Sequence, residues 1–292
     1  MTAKLMDGKR VAQETLAAAG RRVEQIKEAT GVTPCLATVL VGADPASITY
    51  TQMKRRRCEG IGMASRKVEL PAETTTPELL AAVHALGGDP AVHGILLQHP
   101  SPPHIDERAA FEAIPVAKDV DGVTYGSFAR MWFDRQAGSG EDASVAFDSC
   151  TPGGIIRLLD AYNVEIEGKN AVVIGRSAIL GKPMAGLLLA RHATVTVCHS
   201  RTPDVADQVK RADIVVAAVG RAEFVQGDWI KPGAVVMDAG YNAGNVGDVA
   251  FAPASERASL ITPVPGGVGP MTIATLIDQT VDAAATQLGV EF

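Results

Sequence analysis

Short apolar runs alternate along the chain with longer segments in which apolar residues recur at helical spacing. Continuous apolar runs are typical of strands buried on both faces, and strands that alternate with helices predict parallel α/β sheets. The runs that predict strands are LATVLV at 36–41, VHGILL at 92–97, AVVI at 171–174, TVTVC at 194–198, IVVAAV at 214–219, VVMDAG at 235–240 and LIT at 260–262.

Capping residues mark the starts of the predicted helices. Asp44 before Pro45 predicts a helix from 45, because an aspartate can accept from the first helical N–H groups and proline lacks an N–H that is unpaired there anyway. Gly60 predicts the end of this helix. Thr76-Pro77-Glu78 and Thr151-Pro152 predict two further helix starts.

The polar stretch RQAGSGEDASVAF at 135–147 has no apolar period and predicts a domain boundary. We therefore predict a two-domain α/β protein. Residues 1–147 form an N-terminal α/β domain, and 148–270 form a Rossmann-type domain with a doubly wound parallel sheet. A last helix after Pro270 is expected to return to the first domain with residues 271–292.

The composition narrows the class of protein. The chain has 292 residues, of which 47% are hydrophobic and 21% charged, with a net charge of -6, so neither disorder nor nucleic-acid binding is expected. Its 4 cysteines form no CxxC pair, which favours a reducing compartment. The N-terminal residues MTAKLMDGKR lack the apolar segment of a secretory signal peptide, and no apolar run is long enough for a membrane span. We expect a cytoplasmic protein that binds no membrane.

A glycine-rich turn, GRSAILG at 175–181, connects the strand at 171–174 to a helix. Such a turn lets backbone N–H groups and a helix N-terminus approach a pyrophosphate, and Ser177 adds a hydroxyl donor. The next strand ends in His199-Ser200-Arg201, without the acidic residue that binds the ribose hydroxyls of NAD. Arg176 and Arg201 therefore favour NADP. A solvated strand end is the open alternative.

Four polar residues in the first half are candidates for a substrate site. Tyr50 and Lys54 lie one helical turn apart on one face, Gln98 ends a strand, and Asp121 lies in the loop KDVDG. Each has an ordinary alternative: a core position for Tyr50, a solvated basic face for Lys54, and polar strand-end or turn positions for the other two. Asp119 and Asp121 lack a third ligand at motif spacing, so no metal site is predicted.

The chain closely resembles the bifunctional methylenetetrahydrofolate dehydrogenase/cyclohydrolase family over nearly its whole length. The motifs that carry the resemblance are SITYTQMK at 47–54, ILLQHP at 95–100, KDVDG at 118–122, CTPGG at 150–154, VVIGRSAILGKP at 172–183, ATVTVCHSRT at 193–202, IKPGAVVMDAGYN at 230–242 and TPVPGGVGPMT at 262–272.

The resemblance implies roles for the matching residues. Tyr50 is expected to stack on the folate, Lys54 to be the main catalytic residue, Gln98 to hydrogen-bond this lysine, and Asp121 to hold the pterin edge. Pro265, Gly266 and Gly267 are expected to line the folate cleft. The residues expected to face NADP are Gly175, Arg176, Ser177, Ser200 and Tyr241. The family is usually a homodimer paired through its nucleotide domains.

The implied activity is NADP-dependent oxidation of 5,10-methylenetetrahydrofolate to 5,10-methenyltetrahydrofolate, followed by hydrolysis to 10-formyltetrahydrofolate, in one-carbon metabolism. Hydride loss from a carbon between two nitrogens leaves a cation that their lone pairs stabilise, so that step needs positioning and no strong base. Water must then attack the methenyl carbon, and an uncharged amine at Lys54 can serve as general base.

The chain also departs from the pattern of that family. His99 and Ser101 stand where leucines are expected, the segment 123–129 differs from the usual FHPxNxG, and Ser149 and Gln279 replace a proline and an asparagine. These changes leave two alternatives open. One is a dehydrogenase with weak or no cyclohydrolase activity, and the other is a non-catalytic paralogue that binds NADP or folate.

Overall fold

The computed structural model describes residues 2–133 and 146–292, and its contacts divide the chain into two compact units. The N-terminal unit comprises Glu14–Asp148 and Leu276–Phe292. The C-terminal unit comprises Met1–Gln13 and Ser149–Thr275. Most of the segment predicted as a domain boundary, 135–147, lies outside the described residues.

The secondary structure alternates between strands and helices in both units. Within the described residues there are nine strands: β1 (Lys4–Leu5), β2 (Cys35–Val41), β3 (Ala64–Leu70), β4 (Gly94–Leu97), β5 (Asn170–Ile174), β6 (Thr194–Cys198), β7 (Ile214–Ala217), β8 (Val235–Asp238) and β9 (Leu260–Ile261). The same ranges contain ten α-helices: α1 (Gly8–Thr30), α2 (Pro45–Gly60), α3 (Thr76–Gly87), α4 (Glu107–Glu112), α5 (Tyr125–Phe133), α6 (Cys150–Ala161), α7 (Gly181–Ala190), α8 (Val205–Val209), α9 (Phe251–Ser255) and α10 (Val268–Leu288). No helix among these combines the length and the apolar character that crossing a bilayer requires.

The N-terminal unit is built on a three-stranded parallel sheet in the order β3-β2-β4. All seven residues of β2 are buried, as its continuous apolar run predicts. Val39 of this strand pairs with Val68 on one side and with Leu97 on the other. Because the strands are parallel, β2 and β4 end at the same edge of the sheet.

Local capping sets the start of α2 at this edge. The Asp44 side chain accepts a hydrogen bond from Ser47 N at 2.8 Å, and Pro45 occupies the first helical position. Both the predicted start of the helix and its end at Gly60 are confirmed. In α3 the capping residue is Thr75, one position before the predicted start, and Glu78 accepts from its backbone N–H.

The C-terminal unit contains a six-stranded parallel sheet in the order β1-β9-β8-β7-β5-β6. The chain runs outward from β5 to β6 on one side and through β7, β8 and β9 on the other. The end of β5 is therefore the topological switch point at which open α/β sheets bind ligands. The predicted Rossmann-type sheet is confirmed, although α8 is shorter than the segment VADQVKRA at 205–212 suggested.

Two segments lie elsewhere than the predicted domain limits imply. Residues up to Gln13 group with the C-terminal unit, because Lys4 of the two-residue strand β1 pairs with Leu260 of β9. The last helix begins at Val268, before Pro270. Proline is tolerated there because the first four N–H groups of a helix have no partner within it.

The second part of α10, from Leu276, belongs to the N-terminal unit. Its buried Gln279 donates from Nε2 to the carbonyl oxygens of Val120 and Asp148, at 2.8 and 3.0 Å. Arg22 of α1 forms ion pairs with Asp278 and Asp282 of the same helix. These contacts attach the C-terminal segment to α1 and, through Val120, to the loop that carries Asp121.

We expect Gln279→Leu to lower the free energy of unfolding by about 1–3 kcal/mol, because it leaves two largely buried carbonyl groups without this donor. The measurement is chemical denaturation. Gln287→Leu is the matched control, since Gln287 also donates to two carbonyl oxygens from α10 but is exposed. Equal losses in the two variants would contradict the assignment.

Candidate active site

Three of the predicted substrate residues meet at the carboxyl edge of the three-stranded sheet. The Lys54 side chain is only 6% exposed, and its Nζ donates to Gln98 Oε1 at 3.0 Å. The same Nζ lies 5.0 Å from the centroid of the Tyr50 ring, one turn earlier on α2. The structure therefore brings a buried amine, an amide oxygen and an aromatic ring together.

The amide of Gln98 is held in one orientation by its own neighbours. Its backbone N–H donates to Val39 O at 2.8 Å and so extends the ladder between β4 and β2. Its Nε2 donates to the carbonyl oxygen of His99 at 2.7 Å. The amide oxygen thus faces Lys54, which offers only donors when charged.

Asp119 and Asp121 have different surroundings within the KDVDG loop. Asp119 is completely buried, and its carboxylate accepts from the backbone N–H groups of Val123 and Thr124 at 3.0 and 2.9 Å. Asp119 therefore stabilises the turn. Asp121, by contrast, is partly exposed.

The atypical segment 123–129 leads into and begins α5, and it is attached to α4. Arg108 donates to the Val123 carbonyl oxygen at 2.7 Å, and its guanidinium carbon lies 4.6 Å from the centroid of the Tyr125 ring. Glu112 accepts from the Tyr125 backbone N–H at 2.9 Å. The departure in sequence therefore comes with specific partners on a neighbouring helix.

Close packing explains the glycines of the turn after β5. Gly175 has φ of +132°, and a Cβ added to it would lie 2.2 Å from the Ala218 carbonyl oxygen. A Cβ on Gly181 would lie 2.3 Å from the Gly175 oxygen. A side chain at either position would collide with backbone, so this tight turn requires glycine at both positions, as in turns whose N–H groups approach a pyrophosphate.

Ser177 has a second role that the sequence did not reveal. Its Oγ accepts from the backbone N–H groups of Leu180 and Gly181, at 3.2 and 3.3 Å, and so satisfies donors at the start of α7. Its hydroxyl hydrogen remains available as the predicted donor. The neighbouring Arg176 side chain is exposed.

No acidic residue lies directly after β6, where the chain continues with His199, Ser200 and Arg201. Beyond Cys198 the chain turns, with His199 N donating to Thr202 Oγ1 at 2.9 Å, and both Ser200 and Arg201 are exposed. Residues 199–201 therefore offer hydroxyl and guanidinium donors and no carboxylate.

Two buried aspartates that the sequence interpretation missed organise the loops after β7 and β8. Asp248 accepts from the backbone N–H groups of three successive residues, 219–221, at 2.6–2.9 Å and from Asn242 Nδ2 at 3.0 Å. Asp238 accepts from the N–H groups of Gly240, Asp248 and Val249 at 2.9–3.0 Å. The sequence signal available for Asp238 was an acidic residue at the end of the predicted strand VVMDAG.

The remaining predicted residues of the C-terminal unit lie in the loops after β8 and β9. Tyr241 follows Gly240, is 71% exposed, and donates its hydroxyl to Asn245 Oδ1 at 2.6 Å. Pro265 is exposed, and Gly266 adopts φ of +110°. A Cβ on Gly267 would lie 2.6 Å from the Pro263 carbonyl oxygen, so this turn also requires glycine. Within the described residues no group of three histidine, cysteine, aspartate or glutamate side chains could hold a metal ion.

A doubly wound sheet with a tight glycine turn at its switch point, in a chain that also carries a buried lysine on a separate α/β unit, is typical of dinucleotide-dependent enzymes. Comparison with known families narrows this class. The tetrahydrofolate dehydrogenase/cyclohydrolase catalytic domain matches residues 6–121, and the NAD(P)-binding domain of the same family matches 149–288.

Relatives and solved structures of this family are similar to the chain over nearly its whole length. Bifunctional protein FolD 1 of Streptomyces avermitilis is 62% identical over 290 residues, covering 99% of this chain and 98% of the relative. Bifunctional protein FolD of Saccharophagus degradans is 57% identical over 289 residues, covering 99% and 100%. The bifunctional FolD structure from Campylobacter jejuni has a TM-score of 0.92 at 40% identity, covering 97% of this chain and 99% of that one. The Trypanosoma brucei enzyme, complexed with NADP cofactor and inhibitor, has a TM-score of 0.92 at 37% identity and covers 98% of each chain.

The chain belongs to the tetrahydrofolate dehydrogenase/cyclohydrolase family, and it combines the two activities for which the family is named. The predicted family, fold class and type of enzyme are thereby confirmed. The roles of individual site residues remain predictions.

Burial raises the pKa of Asp238 from an ordinary value of 3.8 to about 6, although three backbone N–H groups oppose the shift. The folded protein therefore holds this proton more tightly than the unfolded chain. Below pH 3.8 this difference in proton binding adds about 3 kcal/mol to the free energy of unfolding. The contribution is lost as the pH rises through about 6.

We expect the Asp238 carboxyl carbon to titrate near pH 6 in carbon-13 NMR. Asp89 serves as the internal comparison, since hydrogen bonds from Ala91 and Arg66 lower its pKa below 3.8. An Asp238 midpoint at or below that of Asp89 would show that its N–H donors outweigh its burial.

Proposed function

We propose that this enzyme oxidises 5,10-methylenetetrahydrofolate with NADP and hydrolyses the resulting 5,10-methenyltetrahydrofolate to 10-formyltetrahydrofolate, with Lys54 as the catalytic residue of the hydrolysis. The observation that carries this proposal is the hydrogen bond between the buried Lys54 Nζ and Gln98 Oε1, beside the Tyr50 ring. The reactions belong to one-carbon metabolism.

In the dehydrogenase step the chain binds and orients the folate. NADP, when bound, supplies the hydride acceptor. The two nitrogens that flank the reacting carbon stabilise the cation, so no side chain needs to remove a proton from it. Tyr50 offers a ring face for stacking and Asp121 a carboxylate for the donor groups of the pterin.

In the cyclohydrolase step Lys54 takes a proton from the attacking water. The water oxygen forms a bond to the methenyl carbon, and the amine nitrogen accepts one proton as that bond forms. The bond from this carbon to N5 then breaks, N5 takes one proton and the hydroxyl proton is released, which leaves a formyl group on N10 and an uncharged lysine. Burial disfavours the charged ammonium, and the cationic substrate adds to this effect. Gln98 accepts one N–H of the lysine and so holds the nitrogen in place.

The C-terminal unit favours NADP over NAD. Arg176 and Arg201 are exposed near the ends of β5 and β6, and none of residues 199–201, directly after β6, is acidic. A 2′-phosphate would gain charge-assisted hydrogen bonds there, whereas the ribose hydroxyls of NAD would lack their usual acidic acceptor.

We further expect a cytoplasmic homodimer paired through the C-terminal units. This expectation rests on the family resemblance together with the position of β6, which ends the six-stranded sheet and carries a partly exposed Val197. Sedimentation of the purified protein tests the dimer.

A second candidate function is a dehydrogenase with weak cyclohydrolase activity. The altered segment 123–129 beside Asp121 favours it. Absorbance distinguishes the two functions when the enzyme turns over methylenetetrahydrofolate with NADP, because methenyl-folate accumulates only where its hydrolysis lags.

We expect Lys54→Met to abolish hydrolysis of methenyltetrahydrofolate, because the methionine thioether cannot take a proton from water. Loss of methenyl absorbance measures the rate. Lys27→Met, at a solvent-accessible lysine of α1, is the control and should keep full activity. Undiminished hydrolysis by Lys54→Met would remove this residue from the mechanism.

We expect Arg176→Ala to weaken binding of NADP by roughly 10- to 100-fold, as loss of a charge-assisted hydrogen bond implies, and binding of NAD far less. Titration with each cofactor measures this. Arg191→Ala is the control in the same unit, because Arg191 is paired with Asp160. Equal losses for NADP and NAD would count against recognition of the 2′-phosphate.

A further inference from the structure

The segment after Gln98 is held by a carboxylate from the start of α4. Glu107 Oε2 lies 2.8 Å from His99 Nδ1, and Glu107 Oε1 accepts from the Ser101 backbone N–H at 2.6 Å. One carboxylate therefore binds the residues that precede and follow Pro100. Two anchors of this kind fix the position and the rotation of the backbone that follows the strand.

That backbone in turn controls the amide next to Lys54. The carbonyl oxygen of His99 accepts from Gln98 Nε2 at 2.7 Å. With Nε2 bound there, the amide oxygen of Gln98 is the atom that faces Lys54 Nζ. If the His99 carbonyl rotated away, the amide could turn over and present its NH₂ group to the lysine, and the hydrogen bond would be lost.

The contacts of Glu107 contribute more to orientation than to stability. The side chains of His99 and Glu107 are 44% and 26% exposed, and partly solvated pairs of this kind add little to the free energy of unfolding. Their geometric effect is larger, because a general base must lie within hydrogen-bond reach of its water. A leucine at position 99 would offer Glu107 no ring nitrogen.

We propose that Glu107 is a positioning residue for the hydrolytic step, and that it acts through His99 and Gln98 to keep the amide oxygen of Gln98 facing Lys54. This inference rests on the proposed role of Lys54. Glu107 touches neither the lysine nor the reacting atoms in this arrangement.

The test compares the two activities in Glu107→Ala and Glu107→Gln. We expect the alanine variant to lose roughly tenfold in kcat for hydrolysis of methenyltetrahydrofolate, as small misplacements of reacting groups do, and to keep its kcat for NADP-dependent oxidation within about twofold. The glutamine variant keeps an acceptor for the Ser101 N–H and should restore most of the hydrolysis.

Glu78→Ala is the matched control for a purely structural effect. Glu78 also accepts hydrogen bonds near the start of a helix in the same unit, from Thr75 N and Thr75 Oγ1, both at 2.8 Å. We expect this variant to change the melting temperature without changing the ratio of the two activities. A parallel loss of both activities in Glu107→Ala, or a ratio equal to that of Glu78→Ala, would overturn the inference.

A double-mutant cycle tests the route through Gln98. If Glu107 acts by orienting this amide, Glu107→Ala should have no further effect on hydrolysis in a Gln98→Ala background. Full additivity of the two losses would contradict the proposed route. If Lys54→Met retains hydrolysis, the proposed role of Lys54, on which this inference rests, fails. If Lys54→Met is inactive and Glu107→Ala hydrolyses normally, only this inference fails.

Discussion

A buried amine must have a hydrogen-bond acceptor, and the acceptor of Lys54 lies on a different element of the chain. Lys54 belongs to the helix that follows β2, whereas Gln98 follows β4. The two meet because β2 and β4 are parallel neighbours and end at one edge. The backbone N–H of Gln98 continues the same ladder onto Val39, so the pairing of the strands also sets the position of the amide.

The C-terminal unit meets a comparable requirement with backbone donors. The loops after β7 and β8 lie at the carboxyl edge of a sheet, where their N–H groups have no strand partner. Asp238 and Asp248 accept from these groups and so convert two loops into one connected structure. Burial disfavours the charge of Asp238, and its N–H donors offset part of that cost. The glycine turn after β5 then packs directly on the Ala218 carbonyl of the adjoining loop.

The departures from the usual family pattern occur together with polar partners. His99 has a ring nitrogen, which contacts Glu107, and the altered segment at 123–125 is held by Arg108 and Glu112 of the same short helix. Side chains of α4 thus bind both the segment after Gln98 and the segment after Asp121. A polar substitution near a partly buried site is tolerated when its donors and acceptors are met. His99 Nδ1 and the Ser101 backbone N–H meet this condition, whereas the buried Ser101 Oγ and Arg108 Nε have no hydrogen-bond partner among the described residues.

The sequence by itself determined what depends on neighbouring residues: the buried strands from their apolar runs, the start of α2 from Asp44 and Pro45, and the family from its motifs. It also named the lysine, the glutamine and the glycine turn. Only the tertiary structure decided which distant segments touch. The two-residue strand β1 pairs with β9, Glu107 binds His99, and Asp248 binds the loop at 219–221. Such contacts have no local period, because they depend on which segments the parallel sheets bring to one edge.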